Sequence, residues 1–255
     1  MSDRLLDKRV ALVTGGGRGI GRAIAIGLAA AGASVVVVSR TESEIESVRA
    51  EIDASGNVAL SFVADVSDER AVLDLLVGVR EAFGPIDILV NNAAVVWPIG
   101  ASRSIDVAQW ASALDVNVTA IARLSFLCLP EMLERGWGRI INISSGIAER
   151  PGGMVGANAY ATSKAALEAH TLNLAAELDG TGVTVNAYRP GGVDTAMQAW
   201  IRSQPSEVVG QDLHDRFVAT KESRTLLTPE QSAAGLLPRI AGTATGEIWS
   251  VSDAS

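Results

Sequence analysis

The chain has 255 residues, 48% of them hydrophobic and 20% charged, which is ample for one apolar core and too apolar for a disordered chain. Its formal net charge of −8 disfavours nucleic acid and anionic lipid surfaces as partners. The single cysteine, Cys128, excludes an intrachain disulfide and a cysteine-rich metal cluster, and it suits a reducing cytoplasm.

The opening MSDRLLDKRV has no apolar signal core, and no uninterrupted apolar run reaches the ~18 residues of a membrane span, so neither export nor insertion is expected. From there, short β-branched runs at 10–14, 35–39, 58–63, 86–90, 139–144, 183–188 and 247–251 read as strands. Segments of helical period lie between them at 20–31, 42–55, 69–83, 106–135, 157–179 and 229–240. Several strands are continuously apolar, such as the four valines at 35–38, as a parallel sheet covered on both faces requires. The expectation is one Rossmann-type, doubly wound α/β domain over residues 1–255, with a seven-stranded parallel sheet and helices on both faces. In such a sheet ligands bind beyond the carboxyl ends of the strands, so chemistry is sought just after each strand.

After the first strand, TGGGRGIG places Gly15, Gly19 and Gly21 in the spacing G-x-x-x-G-x-G at a strand-to-helix turn. Glycines there let backbone N–H groups approach a pyrophosphate at the positive end of a helix, although the same turn can be purely structural. After the second strand, Ser39 and Arg40 stand where an NAD site commonly offers an acid to the ribose 2′-hydroxyl. A hydroxyl and a guanidinium suit a 2′-phosphate, and Arg18 adds a second positive charge. NADP(H) is therefore favoured, with NAD(H) possible; the competing reading is that both arginines are solvated surface charges. Asp65 follows the third strand, within reach of an adenine edge. Asn91-Asn92-Ala93-Ala94 follows the fourth, where Asn92 reads equally well as a tie within the sheet.

Tyr160 and Lys164 lie four apart near the start of the 157–179 helix, which puts phenol and ammonium on one face. An adjacent ammonium lowers a phenol's pKa toward neutrality and makes it a workable acid and base. The strand before that helix ends in Ser144 and Ser145, of which Ser145 is favoured as the hydroxyl that polarises a substrate oxygen.

Taken in order, these motifs resemble the short-chain dehydrogenase/reductase family: T-G-x-x-x-G-x-G at 14–21, N-N-A-A at 91–94, Asn117, Ser145, Y-x-x-x-K at 160–164 and R-P-G-G-V-D-T at 189–195. The resemblance implies a catalytic tetrad in which Ser145 steadies the substrate oxygen, Tyr160 exchanges its proton, Lys164 tunes Tyr160 and holds the nicotinamide ribose, and Asn117 anchors a proton relay. It implies a cofactor bed that includes Ile20, Val66, Asn92 and Ala93, with Pro190, Gly191, Val193 and Thr195 bordering the nicotinamide. It also implies a homotetramer or homodimer that pairs the 106–135 and 157–179 helices. Two departures stand out: the interval from Ser145 to Tyr160 is a couple of residues longer than the common pattern, and Ala94 replaces a usual glycine.

Residues 198–228 correspond to the family's variable substrate lid. Trp97, Met154, Tyr188, Met197 and Trp200 are expected near the mouth, which suggests a moderately apolar carbonyl or secondary alcohol as the small-molecule partner. His170 and His214 have no companion at metal spacing and read as a packed helix residue and an exposed lid residue, so no metal is expected. Two rival functions remain: an NAD-dependent alcohol dehydrogenase of the same family, and a non-catalytic NADPH-binding sensor or scaffold.

Overall fold

Seven strands alternate with helices in the computed structural model, which describes residues 5–254; residues 1–4 and 255 of the expected domain lie outside the described residues. The strands are β1 Val10–Thr14, β2 Ser34–Ser39, β3 Ala59–Val63, β4 Ile88–Asn91, β5 Gly138–Ile143, β6 Val183–Arg189 and β7 Ile248–Ser250. They form one parallel sheet in the order β3-β2-β1-β4-β5-β6-β7. The order reverses between β1 and β4, and that switch point opens a crevice at their carboxyl ends.

Alternation within β1 explains why its run is apolar throughout. Ala11 and Val13 enter the core under α1 Gly19–Ala30, α2 Glu42–Ala54 and α10 Pro229–Ile240, with Leu28, Ile45 and Leu236. Val10 and Leu12 enter the opposite core under α3 Glu69–Phe83, α5 Ala120–Glu134 and α6 Asn158–Glu177, with Leu75, Leu124 and Leu174. Each large side chain buried this way contributes roughly 1.5–3 kcal/mol. Local signals set the helix starts: the Asp68 carboxylate accepts from the Arg70 and Ala71 N–H groups at 2.8 and 3.2 Å, and Thr228 with Gln231 forms a capping box at α10.

The structure departs from expectation in two places. The helix expected over 106–135 is α4 Val107–Leu114 and α5 joined by a π-helical turn, Asp115–Thr119. The extra residue per turn points Asn117 inward, where it is fully buried. Although residues 107–134 are long and apolar enough in composition for a membrane span, Ala120, Leu124, Cys128 and Met132 pack into the sheet core. Phe126, Leu127 and Leu133 are exposed on the outer side of α5.

The second departure is the lid segment, which folds into three helices, α7 Ala196–Ser203, α8 Ser206–Val209 and α9 Gln211–Glu222. Ile201, Val209, Leu213 and Phe217 close a third small core against Val96, Ile147 and the Tyr160 ring, with Met154 and Met197 packed against it.

Candidate active site

A cleft of about 450 Å³ runs across the switch point from the glycine turn to Tyr160 and Lys164. At one end, Gly15 adopts φ +62°, and a Cβ on Gly21 would lie 2.3 Å from the Gly15 carbonyl oxygen, so a side chain at 21 would push the turn open. Asn92 Nδ2 donates to the Thr14 and Gly15 carbonyls, both at 3.0 Å, while Thr14 Oγ1 accepts from the Asn92 and Ala93 N–H groups at 3.0 and 3.1 Å. Asn92 thus does tie the end of β4 to the glycine turn, as well as lining the cleft. Thr14, its reciprocal partner, was not singled out from sequence. Arg18 precedes α1 without capping it by its side chain, no acid occupies the first turn, and Gly19 and Ile20 at the helix's amino end line the cleft. That cradle fits a dinucleotide pyrophosphate.

At the ends of β2 and β3 the expected positive charges are already paired. Arg40 Nη1 lies 3.5 Å from Asp65, and Arg18 Nη1 donates to Glu44 Oε1 at 3.3 Å. Burial alone would raise the Asp65 carboxyl, but hydrogen bonds from the Ser67 hydroxyl and N–H, together with Arg40, outweigh it and hold the group below its ordinary range. The arginines are therefore neither free nor merely solvated.

At the other end, α6 carries Tyr160 and Lys164 on one face, 8% and 2% exposed. The Lys164 ammonium donates to the Ile143 carbonyl at 2.7 Å and sits 5.8 Å from the Tyr160 ring centre. Burial pushes Lys164 down to about 8, against the pull of Glu168. Burial also pushes the Tyr160 phenol up, opposed by a hydrogen bond with Ser145. The expected lowering of the Tyr160 pKa is thus reversed in the chain alone: the ammonium is turned onto the end of β5, and the apolar wall under the lid desolvates the phenol.

Asn117 sits behind the wall. Its Oδ1 accepts from the Val95 N–H at 2.8 Å, and its Nδ2 donates to the Val95 carbonyl at 2.8 Å and to Ser163 Oγ at 3.0 Å. The two serines differ in surroundings. Buried Ser144 donates to Glu168 Oε1 at 2.7 Å, whereas partly exposed Ser145 faces the phenol.

Sequence reading missed Glu168. It is one turn past Lys164 and receives Arg189 Nε and Nη2 at 2.8 and 2.9 Å, joining α6 to the ends of β5 and β6. Its position at i+4 from Lys164 was the available signal.

Pro190, Thr195, Ile20, Val66 and Ala93 line the cleft together with Trp97, Met197 and Trp200. Gly191 and Val193 are outside the lining: Gly191 is exposed, and Val193 is buried and bridged to Leu227. Tyr188 is not at the mouth: it is fully buried, with its hydroxyl donating to the Ser232 carbonyl at 2.7 Å, because its place on β6 faces α10. Met154 also leaves the mouth and packs beneath the lid. Cys128 is buried and its thiol is pushed up to about 12, while His170 packs edge-on against Phe126 and half-buried His214 neighbours Asp215. Among the described residues, no three His, Cys, Asp or Glu side chains gather as metal ligands.

The family model described as short chain dehydrogenase matches residues 9–206, and the chain belongs to that family. A short chain dehydrogenase of Pseudocercospora fijiensis is 39% identical over 196 residues, 76% of this chain and 62% of that relative. The acetoacetyl-CoA reductase of Cupriavidus necator is 34% identical over 258 residues, covering 96% of this chain and 97% of the relative. A crystal structure of an actinorhodin polyketide ketoreductase variant with NADPH superposes with a TM-score of 0.85 at 34% identity, over 95% of each chain.

Proposed function

We propose that the chain is an NADP-dependent oxidoreductase that moves a hydride between the nicotinamide and a carbonyl or secondary alcohol. The observation that carries the reading is the meeting of Tyr160 and Lys164 at one end of a cleft whose other end is the glycine turn of α1, with Ser145 hydrogen-bonded to the phenol. The cofactor supplies or accepts the hydride.

Gly15, Gly19, Gly21 and Ile20 receive the pyrophosphate. Ser39, Arg40 and Arg18 receive the 2′-phosphate; Asp65 and Val66 border the adenine. Asn92 and Ala93 floor the cleft, with Pro190, Gly191, Val193 and Thr195 framing the nicotinamide end. Ser145 steadies the substrate oxygen, and Tyr160 delivers or removes its proton. Lys164, with donors left beyond its bond to Ile143, holds the ribose and brings positive charge to the phenol when the site is filled. Asn117 keeps the π turn against Val95 and leads protons away. Trp97, Met197 and Trp200 offer an apolar seat for the substrate under a lid at 198–228, the movable part of a single catalytic domain. Acetoacetyl-CoA and polyketide reduction by the relatives support a carbonyl substrate.

The exposed Phe126, Leu127 and Leu133 of α5 and Leu172 of α6 support association into a dimer or tetramer through those helices. Light scattering of the purified chain tests it, and a monomer at micromolar concentration would overturn it.

NADPH and NADH consumption against a panel of ketones, aldehydes and quinones, with Tyr160→Phe beside the parent, tests the function. Turnover that the substitution abolishes while cofactor still binds is the expected result. Equal turnover by parent and variant would refute the mechanism.

A further inference from the structure

No acid follows β2, yet the fold delivers one to the same spot from the first turn of α2. A Cβ on Gly17 would meet Glu44 Cβ at 2.8 Å, Ser39 Oγ at 3.2 Å and Glu44 Oε2 at 3.3 Å. The Glu44 carboxylate therefore lies against the glycine turn, beside the Ser39 hydroxyl, and it lines the cleft. It also accepts from Arg18 at 3.3 Å; its side chain is 30% exposed against 67% for the arginine, so the carboxylate is the better-held partner. Two arginines thus approach the ribose end, one held by Glu44 and the other by Asp65.

We propose that Glu44 is a specificity-determining residue for the dinucleotide. It competes for Arg18 and repels a 2′-phosphate, while accepting a hydrogen bond from an unphosphorylated 2′-hydroxyl. The inference rests on the dinucleotide reading above and deepens it: the parent chain binds both NADPH and NADH, with a preference for NADPH blunted by Glu44. A 2′-phosphate meets Arg40 and Ser39 favourably and Glu44 unfavourably; a 2′-hydroxyl meets Glu44 and Ser39 without charge conflict.

The test is calorimetric titration of the full-length chain with NADPH and with NADH, in the parent, Glu44→Gln and Glu42→Gln. Glu42 shares the helical turn but is exposed and does not line the cleft, so its variant reports the general effect of removing one negative charge. Glu44→Gln should raise the ratio of the NADH to the NADPH dissociation constant about fivefold to tenfold, through tighter NADPH and weaker NADH, with the gain for NADPH shrinking at high salt. Glu42→Gln should leave the ratio within about twofold. An unchanged ratio in Glu44→Gln, or an equal change in both variants, would overturn the role of Glu44. A parent that prefers NADH, with a ratio that still rises in Glu44→Gln, would overturn the NADP reading and uphold Glu44. Binding of neither dinucleotide by the parent would overturn both.

Discussion

The two ends of the cleft are built in opposite ways. Around Tyr160 and Lys164, most polar groups are buried and held in place: Lys164 by a backbone carbonyl, Asn117 by the Val95 backbone and Ser163, and Ser144 by Glu168, which also pairs with Arg189. Around Ser39 and Arg40, the charged side chains stand on the surface and pair with one another across elements. A buried arrangement has few alternatives, because any released donor or acceptor is left unpaired; an exposed ion pair contributes ~0–1 kcal/mol and exchanges readily for a ligand. The proposed proton-transfer end is therefore preorganised, and the proposed ribose end is adjustable.

The largest effect expected lies at the buried end. Tyr160→Phe should lower kcat/KM on any accepted carbonyl by about 10²–10⁴-fold, with the cofactor dissociation constant within about twofold of the parent. Steady-state rates beside calorimetric titration measure this, and a loss of cofactor binding of the same size would mean that Tyr160 shapes the site instead of exchanging a proton.

Next is Glu168→Gln, which removes the buried carboxylate from partly buried Arg189, leaving it the exposed Glu149 at 3.2 Å, while keeping a partner for Ser144. Urea unfolding should show a loss of about 2 kcal/mol, between that of a fully buried pair and that of an exposed one, because Arg189 keeps Glu149. A loss under about 1 kcal/mol would erase the contrast with the exposed pairs.

Lys164 sharpens the comparison through pH. Its folded value of about 8 lies below the ordinary 10.5, so between those values the unfolded chain holds a proton that the folded chain has shed. Stability from this residue is thus lowest below pH 8 and rises with pH above it. Tyr160, pushed above 10, adds no slope below that value. Denaturant midpoints from pH 7 to 10 should rise less in Lys164→Met than in the parent, by a difference on the order of 2 kcal/mol in stability.

The smallest effect is expected at the exposed end. Arg40→Ala should weaken NADPH by about tenfold and NADH by less than about twofold, with the NADPH effect diminishing at high salt. An equal loss for both dinucleotides would mean that Arg40 shapes the cleft through Asp65 without reading the phosphate.

Much of this architecture is legible from local pattern. All seven strands lie within about two residues of their expected limits, because continuous apolar runs cut by glycine and polar turns carry their own signal. The glycine turn and the Tyr160 and Lys164 pair follow from position after one strand and from spacing along one helix, whereas position alone does not separate Ser145 from Ser144. The sequence signals no helix within the lid, because its apolar residues, Ile201, Val209, Leu213 and Phe217, are sparse and acquire a common face only against Val96 and Ile147. Tyr188 was misplaced for a related reason: strand period says that a residue points to one face, but which face holds α10 depends on how the chain crosses the sheet.

The sequence by itself determined the β/α alternation, the parallel sheet, the family and the helical face that carries phenol and ammonium, since each depends on neighbours within a few residues. Only the tertiary structure decided the groups that set the chemistry of that face. Lys164 turns to Ile143, 21 residues away; Glu168 meets Arg189 across 21; Asn117 meets Ser163 across 46; at the other end of the cleft, Glu44 meets Arg18 across 26. The physical reason is that burial and hydrogen-bond partnership, which move the Tyr160 and Lys164 pKa values in opposite directions, are properties of a packed neighbourhood assembled from distant strand ends.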